Sequence, residues 1–115
     1  MPYKVEIHDG TGEYEDGPSL SLTEHDSIGE HQVMRIGKPL HLNEYYMTHS
    51  KDYVVDMTWR KSGYHLISLV FKMMLPVSRY QELVSGEKEE VEEKIINFYL
   101  QALKTLKELE RSFPV

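Results

Sequence analysis

The chain has 115 residues, no cysteine and a formal net charge of −6 at pH 7. This length predicts one domain over residues 1–115. The lack of cysteine excludes disulfides and thiolate metal sites, and it fits a reducing compartment. The N-terminus lacks the basic and apolar segments of a signal peptide, and no apolar run approaches the about 20 residues of a membrane-spanning helix. We therefore expect a soluble, cytoplasmic protein that does not enter a membrane.

The negative charge is confined to the first half of the chain. Residues 1–50 contain nine acidic and three basic residues, whereas residues 51–115 contain ten of each. Within residues 9–30 there are seven acidic residues and neither lysine nor arginine. A base-free segment repels phosphate and attracts a basic protein, so general binding of nucleic acid is disfavoured and a basic partner is favoured.

Strand patterns occupy the N-terminal part of the chain. Apolar and polar residues alternate over residues 3–8, which predicts a half-buried strand. The glycines and the proline of residues 9–30 predict a long loop, to which Leu20 and Leu22 could add a short edge strand. Residues 31–36 predict a further strand.

The strongest local pattern is a β-hairpin over residues 52–75. The odd-numbered residues from 53 to 59 and from 67 to 73 are apolar, so each strand has one apolar face. A three-residue loop over residues 61–63 brings these faces together and pairs Met57 with Ile67, and it leaves Asp56 facing solvent or paired with a nearby base such as Lys72.

The second strand of this hairpin also carries Leu66 and Val70 on its other face. Apolar residues on both faces predict a central strand that is partly covered on both sides.

Two helices are predicted in the C-terminal part. Ser78 followed by Gln81 matches a capping box and predicts a short helix that ends near Gly86. Residues 87–113 repeat apolar residues at spacings of three and four, with glutamates in the first turns and bases in the last, which predicts a long amphipathic helix.

These elements predict an α+β fold: an antiparallel sheet of about four strands, packed by the long C-terminal amphipathic helix, with a short helix before it. The long helix would extend about 40 Å, whereas four strands are only about 15–20 Å across. Its remaining apolar surface could be covered by the short helix, by residues 40–47 or by a second copy. A monomer with its own core and a homodimer both remain open.

Histidine and carboxylate residues give one candidate metal site. His25, Asp26 and His31 are ligand types that suit zinc, nickel or iron. The gap from His25 to His31 fits neither a helical i, i+4 pair nor an adjacent alternating (i, i+2) pair on a strand, so the alternative is that they are surface residues in a polar loop. No residue pattern indicates a catalytic site or a cofactor.

Candidate partner-binding residues lie in three places. Carboxylates in the acidic segment could hold a basic partner, and aromatic and arginine residues are enriched at binding hot spots. The candidates are Glu13, Glu15, Asp16, Tyr45, Tyr46, Trp59 and Arg60.

Three functions follow as hypotheses. The favoured one is a small acidic protein-binding or accessory module that engages a basic partner. The first alternative is a self-associating structural protein without a ligand, and the second is a metal-dependent enzyme built on histidines and carboxylates.

Overall fold

The structure is a computed structural model that describes the backbone of residues 2–9, 18–27, 29–38, 53–61 and 67–112. It describes the side chains of these residues except 59–61, 67–70 and 110–112.

The described residues form five antiparallel strands and two helices, which confirms the predicted α+β class with five strands instead of four. The strands lie in the sheet in chain order, and each pairs with the one before it. The elements are β1 (Tyr3–His8), β2 (Ser19–Asp26), β3 (Gly29–Gly37), β4 (Tyr53–Lys61), β5 (Ile67–Leu75), α1 (Val77–Leu83) and α2 (Lys88–Ser112).

The prediction of a loop over residues 9–30 is wrong for its second half. Residues 19–26 form β2, which lies between β1 and β3, and its Leu20 and Leu22 are fully buried. The glycines that suggested a loop lie outside this strand, and Gly29, with φ of 130°, stands opposite Asp26 at the turn into β3. The strand is therefore internal, and half of the acidic segment belongs to the sheet.

The predicted register of the second hairpin is also wrong. Met57 pairs with Phe71, not with Ile67, and Lys61 pairs with Ile67. The predicted and observed registers both place odd-numbered residues opposite odd-numbered ones, so the apolar alternation could not distinguish them. Residues 62–63 of the predicted loop lie outside the described residues.

β5 is the last strand in the described sheet, so the prediction that it is central is wrong. Met74, on the face opposite the core, is exposed. Val54, which pairs with Met74 on this face, is buried, and the side chains of Leu66 and Val70 lie outside the described part.

α2 packs along one face of the sheet and forms the core with it, as the apolar spacing predicted. Its buried residues include Ile95 and Tyr99, which belong to one apolar cluster with residues of β2, β3 and β4. The members of the cluster from the three strands are Leu20, Leu22, Val33, Met34, Ile36, Tyr53, Val55 and Met57. Neither helix in the described part of the chain has the length and apolar character that a membrane crossing requires.

α1 begins differently from the prediction. Its N-cap is Pro76, with no side-chain cap hydrogen bond, so Ser78 does not act as the cap. Pro76 donates no amide hydrogen and holds an extended backbone, which suits the start of a helix.

The other face of the sheet is polar. The register aligns one row across all five strands, with charges of both signs: Glu6, Ser21, Arg35, Asp56 and Lys72. The Nζ atom of Lys72 lies 3.6 Å from Oδ1 of Asp56, as expected for that acid. In the described structure, only the core face therefore supplies a large apolar surface.

Truncation of a core residue tests this arrangement. Leu22→Ala is expected to lower the free energy of unfolding by about 2–5 kcal/mol, because a fully buried leucine leaves a cavity. Leu100→Ala, on the exposed side of α2, should change it by about 0.5 kcal/mol or less. Urea denaturation measures both values, and equal effects would contradict the assignment of the core.

Candidate functional site: an apolar groove beside an edge strand

A groove of about 780 Å³ lies over β5, between α1 and α2. β5 supplies its floor, α2 supplies one long wall, and α1 closes one end. The apolar lining residues are Phe71, Met73, Leu83, Phe98, Ala102, Leu106 and Leu109. Its size and lining are those of a binding site.

The groove follows from the widths of the two layers. Five strands span about 19 Å from the first to the last, whereas one helix with its side chains is about 10 Å across. α2 buries the core faces of β2, β3 and β4, but Phe71 and Met73 of β5 remain partly exposed. Among the described residues, one flank of the sheet is therefore left without a helix along its length.

Polar groups at the closed end of the groove are already engaged. Nη1 of Arg79 donates to Oε2 of Glu82 at 3.1 Å. Nζ of Lys94 donates to the backbone oxygens of Glu82 and Ser85 at 2.7 and 2.6 Å, which ties α2 to the last turn of α1. Lys94 therefore links the two helices, Arg79 and Glu82 pair within α1, and the groove offers mainly apolar contact.

The side of the groove away from α2 has no wall among the described residues, because β5 is the last strand. At the far end, Leu109 of α2 is 50% exposed although it lines the groove. Leu100 is similarly exposed at 42% but does not line the groove, so it provides a matched comparison.

The two edge strands of the sheet differ in protection. β1 has six residues, follows Pro2 and carries Lys4, Glu6 and His8. β5 has nine residues, contains no proline and carries Lys72 as its single charge. Short length, proline and charge are the features that protect an edge from pairing with another chain. β5 lacks them.

Most of the predicted partner-binding residues cannot be placed. Glu13, Glu15, Asp16, Tyr45 and Tyr46 lie outside the described residues.

Trp59 and Arg60 belong to β4, where their backbones stand opposite Leu69 and Ser68, and their side chains are outside the described part. Their role in binding stays a prediction.

The predicted metal ligands lie at the β2–β3 hairpin. Nε2 of His31 is 3.5 Å from Oδ2 of Asp26, so the structure brings these two together. His25 is next to Asp26 on β2 and therefore points to the other face, where its Nδ1 is 4.0 Å from Oε1 of Glu30. Within the described ranges, no group of three or more histidine, cysteine or acidic residues is placed to hold a metal ion.

A buried tyrosine lies beside this hairpin, on the core face. Glu24 stands between Tyr3 and His31 in the sheet, and the ring of Tyr3 packs edge-on against that of Tyr99, with 5.9 Å between centroids. Burial raises the pKa of Tyr99 above its ordinary value, and the nearby Glu24 carboxylate raises it further. The hydroxyl is therefore neutral over the physiological pH range.

Tyr80 of α1 is a second buried tyrosine. Its ring packs edge-on against that of Tyr53, with 4.7 Å between centroids. Burial raises the pKa of Tyr80 to about 12, and its hydroxyl has no hydrogen-bond partner among the described residues.

Comparison of the chain with protein-family models, with curated proteins and with solved structures gives no match. The function is therefore inferred from the groove and its surroundings.

The apolar periodicity predicts that the residues of the groove belong to the hydrophobic core and not to a binding site. Phe98, Ala102 and Leu109 belong to the predicted apolar stripe of the long helix. The predicted helix is longer than the predicted sheet is wide, which indicated that part of the apolar stripe needs a further cover. The strand order and the observed register then place Phe71 below the stripe.

The raised tyrosine pKa values predict a loss of stability in alkali. The folded state holds the protons of Tyr80 and Tyr99 more tightly than the unfolded state does, so their contribution is complete below pH 10. It declines as the pH rises from 10 towards 12, the pKa of Tyr80. Urea denaturation should show that the free energy of unfolding falls with pH across this range. The fall should be less steep for Tyr80→Phe. Equal slopes for the two proteins would contradict the assignment.

Proposed function

We propose that the protein is an accessory protein-binding module that holds an amphipathic helix of a basic partner in the groove over β5. The observation that carries this proposal is the apolar floor of β5, which lies beside α2 and which no helix in the described part of the chain covers. An exposed apolar surface of this kind marks an interaction site. The absence of cysteine is consistent with action in a reducing, cytoplasmic setting.

A helix suits the groove because it would complete the helical layer. Neighbouring helices pack about 8–10 Å apart, so a sheet about 19 Å wide accommodates a second helix beside α2. The wall runs from Lys94 to Leu109 along α2, a rise of about 22 Å. A bound helix of about four turns would match it, with apolar residues at spacings of three and four.

The groove lining favours binding over catalysis. The charged groups at its closed end already bond to one another or to backbone oxygens. Along the wall, the hydroxyl of Thr105 donates to the backbone oxygen of Gln101 at 3.1 Å. These groups are engaged within the protein, and the remaining lining offers apolar contact area beside the amide side chains of Asn97 and Gln101.

The charge of the protein favours a basic partner. The net charge is −6, and the start of α2 exposes Glu87, Glu89, Glu90 and Glu93. Such a field accelerates encounter with a cationic protein and is screened by salt. We propose that Glu13, Glu15 and Asp16 add to this field, and that Tyr45, Tyr46, Trp59 and Arg60 contribute anchoring contacts.

A matched pair of leucine substitutions tests the groove. The probe is a basic model peptide of 15 residues, with leucines at i, i+3, i+4 and i+7 and lysines elsewhere. Leu109→Ser should weaken its binding about 10-fold or more, because the apolar contact of one leucine is lost. Leu100→Ser should leave the affinity unchanged. Isothermal titration calorimetry at 50 mM salt gives both values.

Two controls make this test specific. A peptide of the same composition with its leucines scrambled should bind more weakly, and 500 mM salt should reduce the affinity for the basic peptide. Equal binding to Leu109→Ser and to the unaltered protein would show that the groove is not the site.

A further inference from the structure

In the described ranges, the outer edge of β5 and the open side of the groove lie on the same side of the molecule. The outer backbone groups of β5 pair with no described strand, and the strand presents nine residues with a single charge. An edge of this kind is a template for pairing with another chain. The same neighbour could therefore pair with β5 and close the groove.

We infer that β5 pairs antiparallel with β5 of a second copy, about a twofold axis at Phe71. This inference rests on the proposed function, because it completes the same groove. Phe71 is the middle residue of Ile67–Leu75, so this axis brings all nine positions into register. Odd-numbered positions then face odd-numbered ones, which continues the core face of one sheet into the other.

Electrostatic repulsion favours a twofold axis at Phe71 over one at the adjacent residue, Lys72. An axis at Lys72 would place two lysines directly opposite each other, which is destabilising. An axis at Phe71 places Lys72 opposite Val70 of the second copy. Since Lys72 already lies 3.6 Å from Asp56 within its own chain, the edge brings no uncompensated charge into the contact. The pairing is therefore compatible with two chains that each carry a charge of −6.

The second copy would supply the wall that the groove lacks. A twofold axis normal to the joined sheet places the two α2 helices antiparallel on the same face, one on each side of the paired β5 strands. The two grooves then form one trough, with an apolar floor and a helical wall on both sides. The binding site of one chain is thus incomplete without the other.

The contact area predicts a reversible dimer. A nine-residue strand is about 30 Å long, and its edge with side chains is about 10–15 Å deep. Two such edges bury roughly 600–900 Å², below the roughly 1,200 Å² of stable interfaces. We therefore expect a dissociation constant of the dimer in the micromolar range. A partner helix that fills the trough would stabilise the dimer further.

Because the chain has no cysteine, disulfide cross-linking through single introduced cysteines tests this register directly. Phe71→Cys should form an intermolecular disulfide under mild oxidation, because residues paired across the axis have Cα atoms about 4.5–5.5 Å apart. Met73→Cys, on the same strand and face, should not, since its two copies would lie about 14 Å apart. Ile7→Cys, on the other edge strand and 50% exposed, is the second control.

Sedimentation of the unaltered chain gives an independent measurement. Between about 10 and 300 µM the mean mass should rise from 13.5 kDa towards twice that value. A constant 13.5 kDa species, or equal cross-linking at positions 71, 73 and 7, would overturn the dimer. If the chain stays monomeric but peptide binding still depends on Leu109, the dimer is wrong and the proposed function holds for the monomer. If the chain dimerises but peptide binding does not depend on Leu109, the proposed function is wrong and the dimer holds.

Discussion

The packing of α2 against the core face of the sheet is the contact on which the rest of this structure depends. It buries Ile95 and Tyr99 with Leu22, Met34 and Val55 in one apolar cluster. Because one helix is about half as wide as five strands, this contact covers the centre of the sheet and leaves a flank. The groove over β5 is a direct consequence of that mismatch.

The opposite face of the sheet shows why the apolar flank matters. Its strands carry a row of alternating charges and hydroxyl groups, which interact with water and with one another, as Lys72 does with Asp56. A solvated face of this kind needs no cover. The floor of the groove, by contrast, keeps Phe71 and Met73 partly in water, and burial of such residues is favourable. Docking is therefore expected on the core side.

Charge and apolar contact are separated along the molecule. The exposed glutamates lie at the start of α2, whereas the groove runs along its later turns. Under the proposed function, long-range attraction brings a basic partner close, and the contact is made on a surface whose charged groups bond to one another or to backbone oxygens. In this arrangement salt affects the rate of encounter more strongly than the apolar contact.

The sequence by itself determined which segments have apolar faces. Alternation over residues 3–8 and 53–59 and the three-and-four spacing of residues 87–113 identified β1, β4 and α2, because side-chain periodicity is a local property of the backbone. The predicted length of α2 also exceeds the predicted width of the sheet, which led to the expectation that its apolar stripe needs a further cover. The α+β class followed from these patterns.

Only the tertiary structure decided how the faces meet. Leu20 and Leu22 belong to an internal strand because β1 and β3 flank them, which no local pattern in residues 9–30 indicated. The pairing of Met57 with Phe71 rather than Ile67 depends on the whole β4–β5 ladder, since both registers satisfy the alternation. The groove exists because this register and strand order place β5 last in the described sheet, where α2 leaves Phe71 and Met73 partly exposed. Such long-range pairing is set by the packing of distant segments, which periodicity does not encode.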